Sequence, residues 1–189
     1  MQLFKKLRRK PTEATINRPG KRGQAGASLT EYLLYAALAG IVVIGATKAF
    51  SSSKSTTDYN GMLTDMNAIR TGTRQVAGMG GTYGAANADI TANLITAKVF
   101  PSNIGGTATT RINGFNGAVS VAVGATPNLF IISTAEVPQD VCIKFLGALD
   151  STWTQVQAPG GTQTTFPIPL ATAAGMCSGA TNTIQLTST

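Results

Sequence analysis

The sequence predicts an α+β protein in which one long N-terminal helix packs against an antiparallel or mixed sheet. Three observations predict it. An apolar run from Ala27 to Ala46 passes through a polar bridge, SSSKSTTD, into a stretch where Tyr59, Met62, Leu63, Met66, Ile69 and Val76 recur at helical spacing. Short alternating or continuous apolar runs come next, bounded by Gly, Pro and Thr, as strands are. A second helical stretch and long connections separate those runs, which favours an antiparallel or mixed sheet over a βαβ array.

The first segment, residues 1–26, is basic. Lys5, Lys6, Arg8, Arg9, Lys10, Arg18, Lys21 and Arg22 stand against Glu13 alone, so this segment holds the whole formal charge of +7. The remaining residues are balanced. A nucleic-acid-binding domain would carry its positive stripe on the folded body, so binding of nucleic acid by this subunit is not expected. Basic residues ahead of an apolar run instead keep the N-terminus on the cytoplasmic side of a membrane and send the downstream chain across. As a helix, Ala27 to Ala46 is about 30 Å long, the thickness of a hydrocarbon core. A cleaved secretory signal is the alternative, but this run is long for one and continues into helical sequence.

The helix is expected from about Ala27 to Ala77, uniformly apolar in its first half and amphipathic in its second. Gly40, Gly45 and Gly61 weaken it locally by about 1 kcal/mol each. The run GMGG at 78–81 stops it. In the body, GTYGAANADITANLITAKVFP offers a modest helical segment with Ile90, Leu94 and Val99 partly in phase, ended by Pro101. GAVSVAVGA alternates like a strand with one covered face, and NLFIIS is a short continuous apolar run suited to a central strand. VPQDVCIKFLGALDSTW places Val141, Phe145, Leu146 and Leu149 on one helical face, with Pro138 in the first turn. TIQLTST supplies a last strand. GGTATT and APGGTQTT read as exposed loops, and Trp153 as a core residue.

Enzyme chemistry finds little support. Charged residues are 12% of the chain, against roughly a quarter in soluble proteins generally. Histidine is absent, which removes the commonest general base and metal ligand. GMGGTYG puts Tyr83 where a dinucleotide loop needs its third glycine, and PGK at 19–21 lacks the earlier glycine of a phosphate loop. No catalytic residue, cofactor or metal is implied.

One acid, Glu31, stands near the start of the apolar run. An ionised carboxylate in a bilayer costs several kcal/mol and persists mainly where it finds a partner. The stretch that holds it, GASLTEYLL at 26–34, resembles the processing site of type IV prepilins. The resemblance implies that Gly26 ends a leader, that Ala27 becomes an N-methylated N-terminus, and that Glu31 is the fifth mature residue. A leader of 26 residues and a first residue other than phenylalanine resemble the type IVb branch, which includes thin pili of conjugative plasmids and enteric adhesive pili. The proline of the other branch is replaced here by Lys48.

On that resemblance the chain divides into a leader, 1–26, a helix, 27–78, with its membrane and assembly segment at 27–50, and a head, 79–189. Glu31 then pairs with the Ala27 amine of an adjacent subunit. Implied partners are identical subunits, a prepilin peptidase, an inner-membrane platform and an assembly ATPase. The implied location is the inner membrane of a Gram-negative bacterium, then an extracellular pilus. The implied function is the major subunit of a type IVb pilus serving conjugation, adhesion or aggregation. The alternatives are a minor pilin or type II secretion pseudopilin, and a membrane-anchored domain that never polymerises.

Cys142 and Cys177 are the only cysteines. The topology places both outside the cytoplasm, where a disulfide forms, with two buried thiols as the alternative. In the pilin resemblance a C-terminal disulfide borders an exposed segment, and GATNTIQ fits that place.

Overall fold

A computed structural model describes residues 29–77 and 81–189, and the side chains of all of these except 44–55. The chain divides into two compact units, Met1–Ile44 and Gly45–Thr189. Helix α1, Leu29–Ala77, runs through the division. It ends where the glycines begin; most of the GMGG stop lies outside the described residues.

In the second unit Met62, Met66 and Ile69 of α1 are buried in one core with the sheet, as their three-and-four spacing requires. A short α2, Thr91–Thr96, buries Leu94. The remaining elements are β1, Gly105–Gly106; β2, Arg111–Ile112; β3, Ala118–Val123; β4, Phe130–Pro138; α3, Gln139–Gly147; β5, Gln155–Ala158; β6, Gly161–Gln163; α4, Leu170–Met176; and β7, Thr181–Ser188. The strands form one sheet in the order β1-β2-β3-β4-β7-β5-β6, and every pairing is antiparallel. The expected α+β class is observed, and NLFIIS opens the middle strand.

Register explains the core. Val121 faces Ile132, Ile132 faces Leu186, and Leu186 faces Val156. All four are fully buried. Residues directly opposite in an antiparallel ladder share a face, so this row crosses four strands as one apolar ridge. Phe145 and Leu146 of α3 and the Met66 and Ile69 side chains of α1 belong to the same cluster.

Two loop readings need correction. Within APGGTQTT, Ala158 ends β5 and Gly161–Gln163 is edge strand β6. GGTATT begins with the edge strand β1. Strands β1 and β6 are largely exposed, as the composition suggests, but their backbones are paired into the sheet, and Ala158 of β5 is buried. GATNTIQ is likewise no exposed flank: Thr181–Ser188 is an inner strand that alternates exposed and buried positions up to Ile184.

A bulge interrupts the β4–β7 register between Thr134 and Val137. Asn113 holds it. Its Nδ2 donates to the Ala135 carbonyl at 2.7 Å and to Thr134 Oγ1 at 2.8 Å, and its Oδ1 accepts from the amides of Phe115 and Gly117. Gly117 must be glycine, because a Cβ there would lie 1.9 Å from the Ala135 carbonyl oxygen.

The α1 packing leaves one polar group unmatched. Thr73 is fully buried and its hydroxyl has no hydrogen-bond partner among the described residues. Thr73→Val removes that hydroxyl at nearly constant shape. The variant is expected to gain about 1 kcal/mol of stability, read as a higher urea midpoint with an unchanged slope.

Candidate functional site

Three features stand out once the core is accounted for. The first is the beginning of α1. Leu29, Tyr32, Leu33, Leu34, Tyr35, Leu38, Ile41, Val42 and Val43 are all more than half exposed, Leu29 at 80%. Burying one such side chain is worth roughly 1.5 to 3 kcal/mol, so a helix presenting nine of them is built to be covered by lipid or protein. Glu31 lies in its first turn, where the partial positive charge of a helix N-terminus favours an acid. At helical spacing Glu31, Tyr35, Leu38 and Val42 share a face.

Among the described residues no helix is long and apolar enough to cross a membrane. The described side chains of the expected span stop at Val43, and the rest of 27–50 lies outside them. Gly26 and Ala27 also lie outside the described residues, so the cleavage site and the amine that would meet Glu31 have no described geometry.

The second feature is the cysteine pair. Cys142 of α3 and Cys177, which caps α4, form a disulfide with Cα atoms 6.0 Å apart. Both are fully buried. The Cys177 carbonyl also accepts from Gln139 Nε2 at 2.9 Å. The bridged loop contains β5, β6 and α4, so the bond ties two sheet strands and a helix to α3.

The third feature is not legible in the sequence: polar and apolar contacts that flank α1 on the head. Arg70 Nε donates to Ser188 Oγ at 2.7 Å, and its guanidinium lies 5.3 Å from the centre of the Trp153 ring. Trp153 is indeed a core residue at 3% exposed, and it also receives this cation. Burial, together with the charge of Arg74, draws the Arg70 pKa below its usual value, while Asp150 and Tyr83 oppose that shift. Two grooves also border α1. One, of about 260 Å³, is lined by Asp58, Asp65, Met62, Met66, Ile104 and Phe115 among others. The other, of about 540 Å³, is lined by Tyr59, Ile143, Lys144, Ile168 and Leu170 among others.

In the first groove Asn103 Nδ2 donates to both Asp65 oxygens, at 2.7 and 2.8 Å. Burial outweighs that hydrogen bond and raises the Asp65 pKa above 3.8. A carboxyl whose folded pKa is raised favours the fold in its protonated form. Its contribution is therefore full below pH 3.8 and is lost as pH rises through the folded value. Asp65→Asn should remove that dependence. The difference in urea midpoint, wild type minus variant, is expected to grow more positive as pH falls toward 3.8.

The exposed apolar helix start, the helix-backed antiparallel sheet and the disulfide near the C-terminus define a type IV pilin fold. The solved structures include a match to TcpA, a type IV pilin of Vibrio cholerae El Tor biotype, with TM-score 0.53 and 10% identity, over 70% of this chain and 99% of that one. Residues 56–189 match the family described as PilS N terminal. The chain belongs to the PilS family, and the resemblance to type IVb pilins is borne out. A search of curated protein sequences finds no match. The family match begins at residue 56, so Gly26, Ala27 and Glu31 lie ahead of it.

Proposed function

We propose that this chain is the major subunit of a type IVb pilus, polymerising through α1 after its leader is removed between Gly26 and Ala27. The observation that carries the reading is the continuous exposure of large apolar side chains from Leu29 to Val43, in a chain whose Gly45–Thr189 unit has a core of its own. In the membrane those side chains meet lipid. In a fibre they meet the same segment of other copies, and the exchange leaves the apolar surface covered throughout.

Glu31 supplies the register in this proposal. Cleavage creates an amine at Ala27, four residues back on the same side of the helix, and an identical amine on every other copy. Pairing Glu31 with the amine of a neighbour neutralises both charges inside a low-dielectric bundle. A prepilin peptidase would cut and methylate Ala27, and a membrane platform with its ATPase would drive insertion. The subunit would begin in the inner membrane of a Gram-negative cell and end in an extracellular fibre for conjugation, adhesion or aggregation.

Mass and N-terminal analysis of sheared surface fibres tests this directly. The expected product begins at methylated Ala27, retains the Cys142–Cys177 bond, and is the most abundant protein of the fibre. A product starting at Met1, or one dispersed as single molecules, would refute the reading. Low abundance in genuine fibres would favour a minor pilin instead.

A further inference from the structure

We propose that, before assembly, the head lies against the membrane on one particular flank, with Leu170, Ile143, Tyr59 and Lys144 set into an anionic headgroup layer. The proposal rests on the membrane-borne precursor described above and adds which side of the head meets lipid.

The two grooves lie on opposite flanks of the same stretch of helix. At about 100° per residue, the buried stripe of Met62, Met66 and Ile69 separates Thr56 and Tyr59 of the larger groove from Asp58 and Asp65 of the smaller. The larger is lined by Tyr59, Ile143, Ile168 and Leu170 with Lys144, and no acid lines it among the described residues. Leu170 is 71% exposed, the most exposed large apolar side chain described in the Gly45–Thr189 unit. Aliphatic side chains, an aromatic ring and a base on a long stem settle together at a lipid interface, with the apolar parts below the headgroups and the charge among them. The smaller groove has two carboxylates and no base in its lining. An anionic surface attracts the first flank and repels the second.

The chain brings the first flank within reach. Lys48 is the first charged residue after Glu31, so hydrocarbon contact ends near it. Thr56 and Tyr59 follow at eight and eleven residues, about 12 and 16 Å along α1. The headgroup layer is about 5 to 8 Å deep on each side of a bilayer. An upright helix would hold the patch clear of that layer, whereas a helix leaning toward Tyr59 lowers Ile143 and Leu170 into it. Spanning helices tilt by about 20° on average and by up to about 40°, so the lean needs no bend in α1. It also lifts Asp58 and Asp65 away from the lipid.

The test uses the full chain in vesicles so dilute in protein that copies do not meet. An environment-sensitive fluorophore is placed at Leu170→Cys or, for comparison, at Gly114→Cys. Gly114 lines the acidic groove, and a Cβ there meets nothing within 4 Å. Cys142 and Cys177 are bonded to each other and buried, so the label goes to the new thiol. In vesicles containing phosphatidylglycerol the Leu170 probe should emit at shorter wavelength and be quenched by spin-labelled lipid, while the Gly114 probe stays water-like. The Leu170 signal should fall in phosphatidylcholine alone. In the anionic vesicles Lys144→Gln should lower the docking equilibrium roughly fivefold, the ratio that corresponds to about 1 kcal/mol for one base near such a surface.

Inserted chains with a water-like Leu170 probe, equal quenching at both sites, or no difference between the two lipids would overturn the docking and leave the membrane precursor standing. A Leu170 shift that arises only as copies are concentrated would assign the patch to a second copy and overturn it as well. Chains that fail to insert would remove both readings.

Discussion

Glu31→Val is expected to leave leader removal at Gly26–Ala27 unchanged and to abolish fibres. The variant makes the helix more apolar, so membrane insertion is, if anything, easier. The substitution takes away the carboxylate that would meet the Ala27 amine of a neighbouring copy. That amine would then enter the bundle alone, and stranding one member of a buried charge pair costs roughly 3 to 5 kcal/mol. Repeated for every subunit, a cost of that size lowers each addition step by more than about a hundredfold. Glu31→Gln, which keeps hydrogen bonding without the charge, should fall between. Processed subunit is read by mass and fibre by sheared yield. If Glu31 merely reached the headgroups from the helix start, the valine variant would assemble normally, and that result would sink the pairing.

The long helix and the two central strands are legible in the sequence because each carries its own period. Met62, Met66 and Ile69 mark a helix face before any partner is known, and the buried Val119, Val121 and Val123 of β3 mark a strand face. Strands β1, β2, β5 and β6 are two to four residues long, too short for a period to show. They exist because neighbouring strands offer a ladder to pair with. Helix α4, LATAAGM, is built from small residues with little amphipathic contrast, and the disulfide and its packing on α3 hold it.

Asn182 shows why GATNTIQ resembles an exposed segment when only its composition is considered. It is polar, yet 2% exposed. Its Nδ2 donates to the carbonyls of Gly179, at 2.9 Å, and Val137. Its Oδ1 accepts from the Gly179 amide. A polar side chain satisfied by backbone can occupy an inner strand, and composition alone does not reveal the partners. The same holds for the site. Two cysteines in a whole chain announce a pairing, and an acid at the start of an apolar run announces itself. The Arg70 contact with Trp153 and Ser188, and the groove that joins Lys144 to Leu170, depend on elements far apart in the chain.

Cys142→Ala with Cys177→Ala is expected to cost the fold about 3 to 4 kcal/mol by the chain-entropy estimate for the bridged separation. The bond spans 35 residues. That is a large share of the stability of an ordinary domain, roughly 5 to 15 kcal/mol. The effect should be uneven. The bridged loop holds β5, β6 and α4, and β5 reaches the sheet only through β7 on its inner side. Strand β4 pairs directly with β3 on one side and β7 on the other, and these pairings do not need the bridge. Hydrogen exchange should therefore accelerate first across 155–176, with β3 and β4 protected until global unfolding. Alanine is the right replacement because both sulfurs are fully buried, and a serine hydroxyl there would add its own desolvation cost. A reductant should shift the wild-type urea midpoint to that of the variant and leave the variant unmoved. Equal midpoints for both chains without reductant would mean that α3–α4 packing already closes the lobe and that the bond adds nothing to it.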